Sequence, residues 1–185
     1  FPNDMALLLT YNFTDDEYVG AIAKGYAVEQ IAKYLESKGI TGYLLNVGGN
    51  VRSIGMADAD KWKVGIENPD VDNTEKPYIE FLKIVDKSVV TSGSYQRFYI
   101  VDGKSYHHII DPQTLMPGEK YRSVSVLTND SGLGDAMSTA LFIMDYEEGK
   151  KLVEATESVE AMWVLQDGTQ LYSSGFEKYT FEYNQ

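Results

Sequence analysis

Residues 132–145 read Gly-Leu-Gly-Asp-Ala-Met-Ser-Thr-Ala-Leu-Phe-Ile-Met-Asp, directly after a polar turn at Thr128-Asn129-Asp130-Ser131. The apolar spacing predicts a helix with Ala136, Ala140, Ile143 and Met144 turned inward. Before it, 121–128 alternates cleanly and predicts a strand. After it come a second helix at 146–157, a strand at 161–166, a tight turn at Asp167-Gly168-Thr169 and a hairpin partner at 170–174. Asp135 and Thr139 are four residues apart and share one helical face. A carboxylate and a hydroxyl so placed can hold a hard divalent cation through oxygen. The same spacing also fits a carboxylate capping its own helix and a threonine packed on the preceding turn.

Working back towards the N-terminus, an amphipathic helix is expected from about residue 20 to Gly39, with Ala23, Ala27, Ile31 and Leu35 on its buried face and Lys33, Glu36 and Lys38 outside. A short strand is expected at 5–11. A buried strand at 42–47 ends in Gly48-Gly49-Asn50, and 51–56 continues as a second strand. Paired glycines there either form a hairpin turn or let backbone approach a ligand closely. Further strands are expected at 62–67, as a short pair within 79–90, at 95–102 and 104–110 around Asp102-Gly103, and at 176–183. Thr91-Ser92-Gly93-Ser94 reads as a small-residue turn rich in donors. Helices interleaved with antiparallel strands, without a βαβ rhythm or a repeat, predict an α+β fold in one domain over 1–185, mostly antiparallel sheets with packed helices.

Composition narrows the function. The formal charge is −12, from 28 acidic and 16 basic residues, which argues against a nucleic-acid partner. A polyphosphate ligand would need a local positive centre, which a metal ion supplies. There is no cysteine, which excludes disulfides, thiolate zinc sites and cysteine nucleophiles. No apolar run reaches the roughly 18 residues of a membrane span. No G-x-G-x-x-G, P-loop or H-E-x-x-H is present. Beginning at Phe1, the chain reads as a processed or shortened product.

Four stretches in order carry a resemblance: Gly-Ala-Ile-Ala-Lys-Gly-Tyr-Ala at 20–27, Asn-Val-Gly-Gly at 46–49, Thr-Ser-Gly at 91–93 with His-His-Ile-Ile-Asp-Pro at 107–112, and Gly-Asp-Ala-Met-Ser-Thr-Ala-Leu-Phe at 134–142. Together they resemble the ApbE family, the FAD:protein FMN transferases, and its T-fold-like α+β architecture. The resemblance implies a magnesium-dependent reaction outside the cytoplasm, in which FAD is cleaved to release AMP and FMN is joined by a phosphoester to a threonine or serine of an acceptor protein. Flavin-carrying subunits of membrane electron-transfer complexes are the implied acceptors. Asp135 and Thr139 would be side-chain ligands of Mg2+ and Ala21 a backbone ligand. Ser138 stands where some members carry another carboxylate. Lys24 would reach flavin or phosphate, and Gly48, Gly49, Thr91, Ser92 and Gly93 would wall the FAD site. Ile109 would touch flavin or ribose through its backbone. His108 would be the general base, since imidazole titrates near neutrality. On a strand His107 and His108 point oppositely, so only one lines the site.

Three departures accompany the resemblance. Tyr18 stands where family members usually carry an acidic residue, Leu115 replaces the glycine of the usual Asp-Pro-x-Thr-Gly-x-Pro, and the N-terminal part of roughly a hundred residues, an ordinary domain length, that family chains typically carry is absent or reduced to residues 1–16. Two other functions fit the same residues: an FAD pyrophosphatase using water, and a non-catalytic FAD- or nucleotide-binding module.

Overall fold

The computed structural model describes residues 22–57, 60–95 and 97–183. The expected strand at 5–11 and the positions of Tyr18 and Ala21 lie outside them. In chain order the elements are α1 (Ala23–Ser37), the hairpin β1 (Tyr43–Val47) and β2 (Asn50–Ile54), then β3 (Trp62–Glu67), β4 (Tyr78–Ile84) and β5 (Ser88–Gly93). A second hairpin, β6 (Phe98–Val101) and β7 (Lys104–His107), precedes the short pair β8 (Ile110–Asp111) and β9 (Met116–Pro117). Then come β10 (Tyr121–Thr128), α2 (Ser131–Ile143), α3 (Tyr146–Ala155), β11 (Glu160–Leu165), β12 (Gln170–Tyr172) and a 3-10 helix, Phe176–Tyr179.

Six strands form one antiparallel sheet in the order β1-β2-β5-β10-β11-β12. Its two faces are covered differently. Ala161 and Trp163 of β11 join Val124, Val126, Met137, Leu141, Phe142 and Val153 under the helices. Met162 and Val164, one residue along, join Val51, Val89 and Leu127 against Val64, Ile66, Leu82 and Ile84 of the separate β3–β4 hairpin, with Phe176 closing that core. This is the period-two alternation of a strand, used by two cores at once.

Several expectations change. On α1 the buried residues are Gly25, Val28, Glu29 and Ala32, whereas Ala23, Ala27 and Ile31 are exposed. The inward face is chosen by a glycine and a charged residue, which apolar periodicity treats as outside. Glu29, 5% exposed, accepts from the Ser131 N–H at 2.9 Å and pairs with Arg52 Nε at 3.3 Å, and Arg52 is 7% exposed. Ser131 Oγ in turn donates to Asn50 Oδ1. A buried polar network therefore ties α1, β2 and the start of α2 together.

On α2 the deep anchors are Met137, Leu141 and Phe142 with Ala140, while Ala136, Ile143 and Met144 are only half-buried. β1, expected to be buried, is a largely exposed edge strand. Thr91, Ser92 and Gly93 belong to β5 instead of a turn. The strand pair within 79–90 divides between two sheets, β4 with β3 and β5 with β2 and β10. Only 98–101 of the expected 95–102 strand pairs. The expected strand at 176–183 begins as a 3-10 helix because the Phe176 ring is fully buried, after which Phe181 and Tyr183 pack their rings on Phe81.

Leu115 sits at φ 59°, a left-handed conformation that costs a side chain with a Cβ. Its side chain is 69% exposed, so little packing offsets the strain. Leu115→Gly should stabilise the fold by roughly 0.5–1 kcal/mol, the relief of strain less glycine's extra chain entropy. A lower thermal midpoint for the variant would contradict this.

Candidate functional site

The site grows from where two helices touch. α1 begins after Ile22, which has no side-chain oxygen to cap it. The first N–H groups of a helix lack carbonyl partners within it, and here the carboxylate of Asp135 on α2 fills one place: Gly25 N–H donates to Asp135 Oδ2 at 2.7 Å in a buried bond. Asp135 thus caps a helix other than its own. Its own helix is capped by Asp130, which accepts from the Leu133 N–H at 2.9 Å. The approach needs glycine, since a Cβ on residue 25 would overlap Ser131 O and lie 2.5 Å from Asp135 Cβ.

Around this contact the structure gathers oxygen donors. Ser138 Oγ and Thr139 Oγ1 each donate to Asp135 O at 3.1 Å. Ser92 reaches across from β5, its hydroxyl 2.8 Å from Ser138 Oγ and 3.4 Å from Thr139 Oγ1. Asp135 is 6% exposed, and burial raises its carboxyl pKa against the opposing pull of the Gly25 N–H and the Lys24 ammonium. The Lys24 ammonium donates to Gly48 O at 3.0 Å, on a β1–β2 turn whose two glycines both have positive φ. The paired glycines therefore do make a hairpin turn, and its carbonyl holds the lysine.

The two histidines separate as expected. His107 is buried; its Nδ1 accepts from the Ile109 N–H at 3.3 Å, which leaves Nε2 to carry the proton and donate to Gly118 O at 2.8 Å. Its ring packs edge-on against Phe142. His108 remains accessible, and its Nδ1 lies 3.3 Å from Arg97 O. A carbonyl only accepts, so Nδ1 carries the proton and Nε2 is the free base. Partial desolvation, with the charges of Arg97 and Lys24, lowers the His108 pKa, so the ring is neutral at physiological pH. The Lys24 charge is felt by both His108 and Asp135.

Not every expected residue joins this cluster. Thr91 points to the opposite face of β5, bonded to Ser125 Oγ at 2.8 Å, and with Gly49 it lines a small cavity of about 80 Å3 towards β3. Gly93 makes room for the Tyr95 ring, which a Cβ there would strike. Ile109 is 4% exposed; its N–H bonds His107 and its carbonyl accepts from Gly118 N–H, so a ligand contact would fall to the carbonyl's second lone pair. A cleft of about 550 Å3, lined by Tyr95, Phe98, His107, Gly118 and Arg122 among others, lies on the His107 side. Gly25 is the participant that sequence reading passed over. Its signal was a glycine inside a helix, which costs helix stability and so usually has a packing reason.

Among the described residues no three His, Asp or Glu side chains converge as a metal cage, and no helix is long and apolar enough to cross a membrane. One carboxylate with hydroxyls is nevertheless the donor set that magnesium uses when phosphate and water complete its shell. The residues present fit that ion.

A family model described as the ApbE family matches residues 18–163. The chain belongs to the ApbE family. Within it, the chain is 36% identical over 157 residues to the FAD:protein FMN transferase of Klebsiella pneumoniae, covering 84% of this chain and 48% of that protein. It is 35% identical over 167 residues to the FAD:protein FMN transferase of Treponema pallidum, covering 85% and 46%. The ApbE protein of Thermotoga maritima superposes with a TM-score of 0.79 at 33% identity, over 89% of this chain and 53% of the other. The flavin transferase ApbE of Vibrio cholerae gives 0.71 at 33% identity, over 86% and 51%. The chain therefore has the α+β fold of ApbE structures and spans about half the length of the relatives it matches.

Proposed function

We propose that this chain carries the diphosphate-handling centre of a magnesium-dependent FAD:protein FMN transferase. The observation that carries the reading is the buried contact of α1 with α2, where Asp135, one helical turn from Thr139, caps Gly25 next to Lys24, and Ser92 reaches Ser138 and Thr139 from β5. Transferase relatives sharing a third of the sequence support it.

In this reading Asp135 and Thr139 hold the magnesium, as would the carbonyl of Ala21 if it follows the family pattern. The ion would neutralise charge on the diphosphate oxygens. Lys24, one of whose three ammonium protons is on Gly48 O, has others for phosphate. His108 takes the proton from the acceptor's threonine or serine hydroxyl through Nε2. The new bond joins that oxygen to the flavin-side phosphorus, the bridging P–O bond breaks, and AMP leaves. Phosphoryl transfer needs positioning and charge more than covalent help, and the site supplies those. The acceptor's identity as a membrane electron-transfer subunit, and an extracytoplasmic location, belong to this proposal through family resemblance.

The test is incubation with FAD, magnesium and a threonine-bearing acceptor peptide, read by intact mass. One added FMN on the peptide, dependent on magnesium, supports the transferase. Free FMN and AMP without an adduct make the chain a pyrophosphatase, and intact FAD defeats both catalytic readings. His108→Ala should slow transfer by ~10²–10⁴-fold, the usual worth of a general base, with FAD affinity nearly unchanged. Because the His108 pKa lies below its ordinary value, wild-type rate should be level around neutral pH and fall as pH drops through that lowered pKa. A loss confined to FAD binding would make His108 a cofactor contact instead.

A further inference from the structure

We infer that Gly25 is a positioning residue that sets the cation preference of the Asp135 centre, favouring magnesium over calcium; this rests on the metal reading above. The argument begins with which oxygen is free. Asp135 Oδ2 is engaged by the Gly25 N–H at 2.7 Å, in a buried, charge-assisted bond at the positive end of α1. Oδ1 takes no hydrogen bond from any described residue. The carboxylate can therefore give a cation one oxygen while keeping its bond to α1.

Two further features hold it that way. Ile22 offers α1 no alternative cap, so turning the carboxylate to offer both oxygens would strand a buried N–H. The backbone of α1 also lies against the Asp135 Cβ, closely enough that residue 25 tolerates no Cβ of its own. Thr139 Oγ1 donates its proton to Asp135 O, leaving its lone pairs for a metal, again one oxygen. Calcium takes six to eight oxygens in a flexible shell, with carboxylates binding through one oxygen or both, whereas magnesium takes six in a tight octahedron, keeps several waters and needs only one or two single oxygens from protein. A site whose only described carboxylate is pinned by one oxygen suits the second ion.

The test uses the full chain with FAD present and Mn2+ as the probe, followed by its electron paramagnetic resonance signal. Mg2+ should displace Mn2+ at concentrations about tenfold or more below those needed for Ca2+. In a 15N-labelled sample the Gly25 amide should keep its strongly hydrogen-bonded, downfield position when Mg2+ is bound. Asp135→Asn should abolish Mn2+ uptake. In Gly25→Ala, if it folds, the Mg2+ over Ca2+ preference should shrink, a ratio that general destabilisation does not move; if it does not fold, the wild-type competition still decides. Equal displacement by Mg2+ and Ca2+, or a Gly25 amide that moves to a free-amide position on Mg2+ binding, overturns this inference and leaves the transferase reading standing. No Mn2+ uptake by the wild-type chain removes the metal assignment and the inference with it.

Discussion

In the proposed reaction, Asp135→Ala should reduce magnesium-dependent FAD turnover on the order of a thousandfold, the rate equivalent of about 4 kcal/mol of charge stabilisation. The expectation follows from the lack of a substitute: Asp135 lies one helical turn from Thr139 and feels the Lys24 charge, and among the described residues no group of three His, Asp or Glu side chains could hold a metal in its place. The substitution has a second effect, because the same side chain caps α1 through Gly25. Losing a cap costs typically about 1 kcal/mol. Asp135→Asn separates the two roles. An amide oxygen can still accept from the Gly25 N–H, so stability should be largely kept, while a neutral side chain binds magnesium poorly and turnover should still collapse. The readout is AMP release alongside urea unfolding of both variants. Undiminished AMP release in Asp135→Ala would remove the carboxylate from the chemistry altogether.

Arg52→Ala should cost about 3–5 kcal/mol of stability, the range for breaking a buried ion pair on one side. Arg52 and Glu29 are both more than nine-tenths buried, and Glu29 Oε2 also receives the Ser131 N–H at the start of α2. Removing the guanidinium leaves that carboxylate in the interior with Lys33, 3.6 Å away and mostly solvent-exposed, as its remaining cation. Chemical denaturation would measure the loss. The double variant with Glu29→Ala should be less unstable than the two single losses combined, because no charge is then stranded. Simple additivity would show that the pair is not coupled as its geometry indicates.

These two residues mark the boundary of what could be read in the sequence. Strands whose signal is local came out to the residue: 62–67 and 121–128 are β3 and β10 as expected, and Asp102-Gly103 makes the β6–β7 turn. Gly39, with positive φ just past α1, ends that helix as expected. The face of α1 did not come out. Counting apolar positions puts Ala23, Ala27 and Ile31 inside, and the buried Glu29–Arg52 ion pair turns a different face inward. Phe176 was placed in a strand because aromatic residues favour strands, but one ring in a core outweighed that preference.

The site divides in the same way. Asp135 and Thr139 on one helical face were legible from their spacing. The opposite directions of His107 and His108 followed from strand geometry, with the structure showing which one is buried. The opposite directions of Thr91 and Ser92 were hidden, because reading 91–93 as a turn removed the alternation that separates them. The partnership of Gly25 with Asp135 had no local signal except an unexplained glycine.

That partnership joins residues 110 apart in the chain. At translation speeds of about 5–20 residues per second, the start of α1 leaves the ribosome on the order of ten seconds before its cap is made. Until then the segment has an open end and a polar inner face with neither Arg52 packed nor Ser131 present. Order along this surface is therefore gained late, together with the docking of β10 beside β5, and contacts so distant in sequence slow the search for the native state. In the proposed reading the centre cannot be assembled piecemeal during synthesis; it is complete only once α2 packs against α1 and β5.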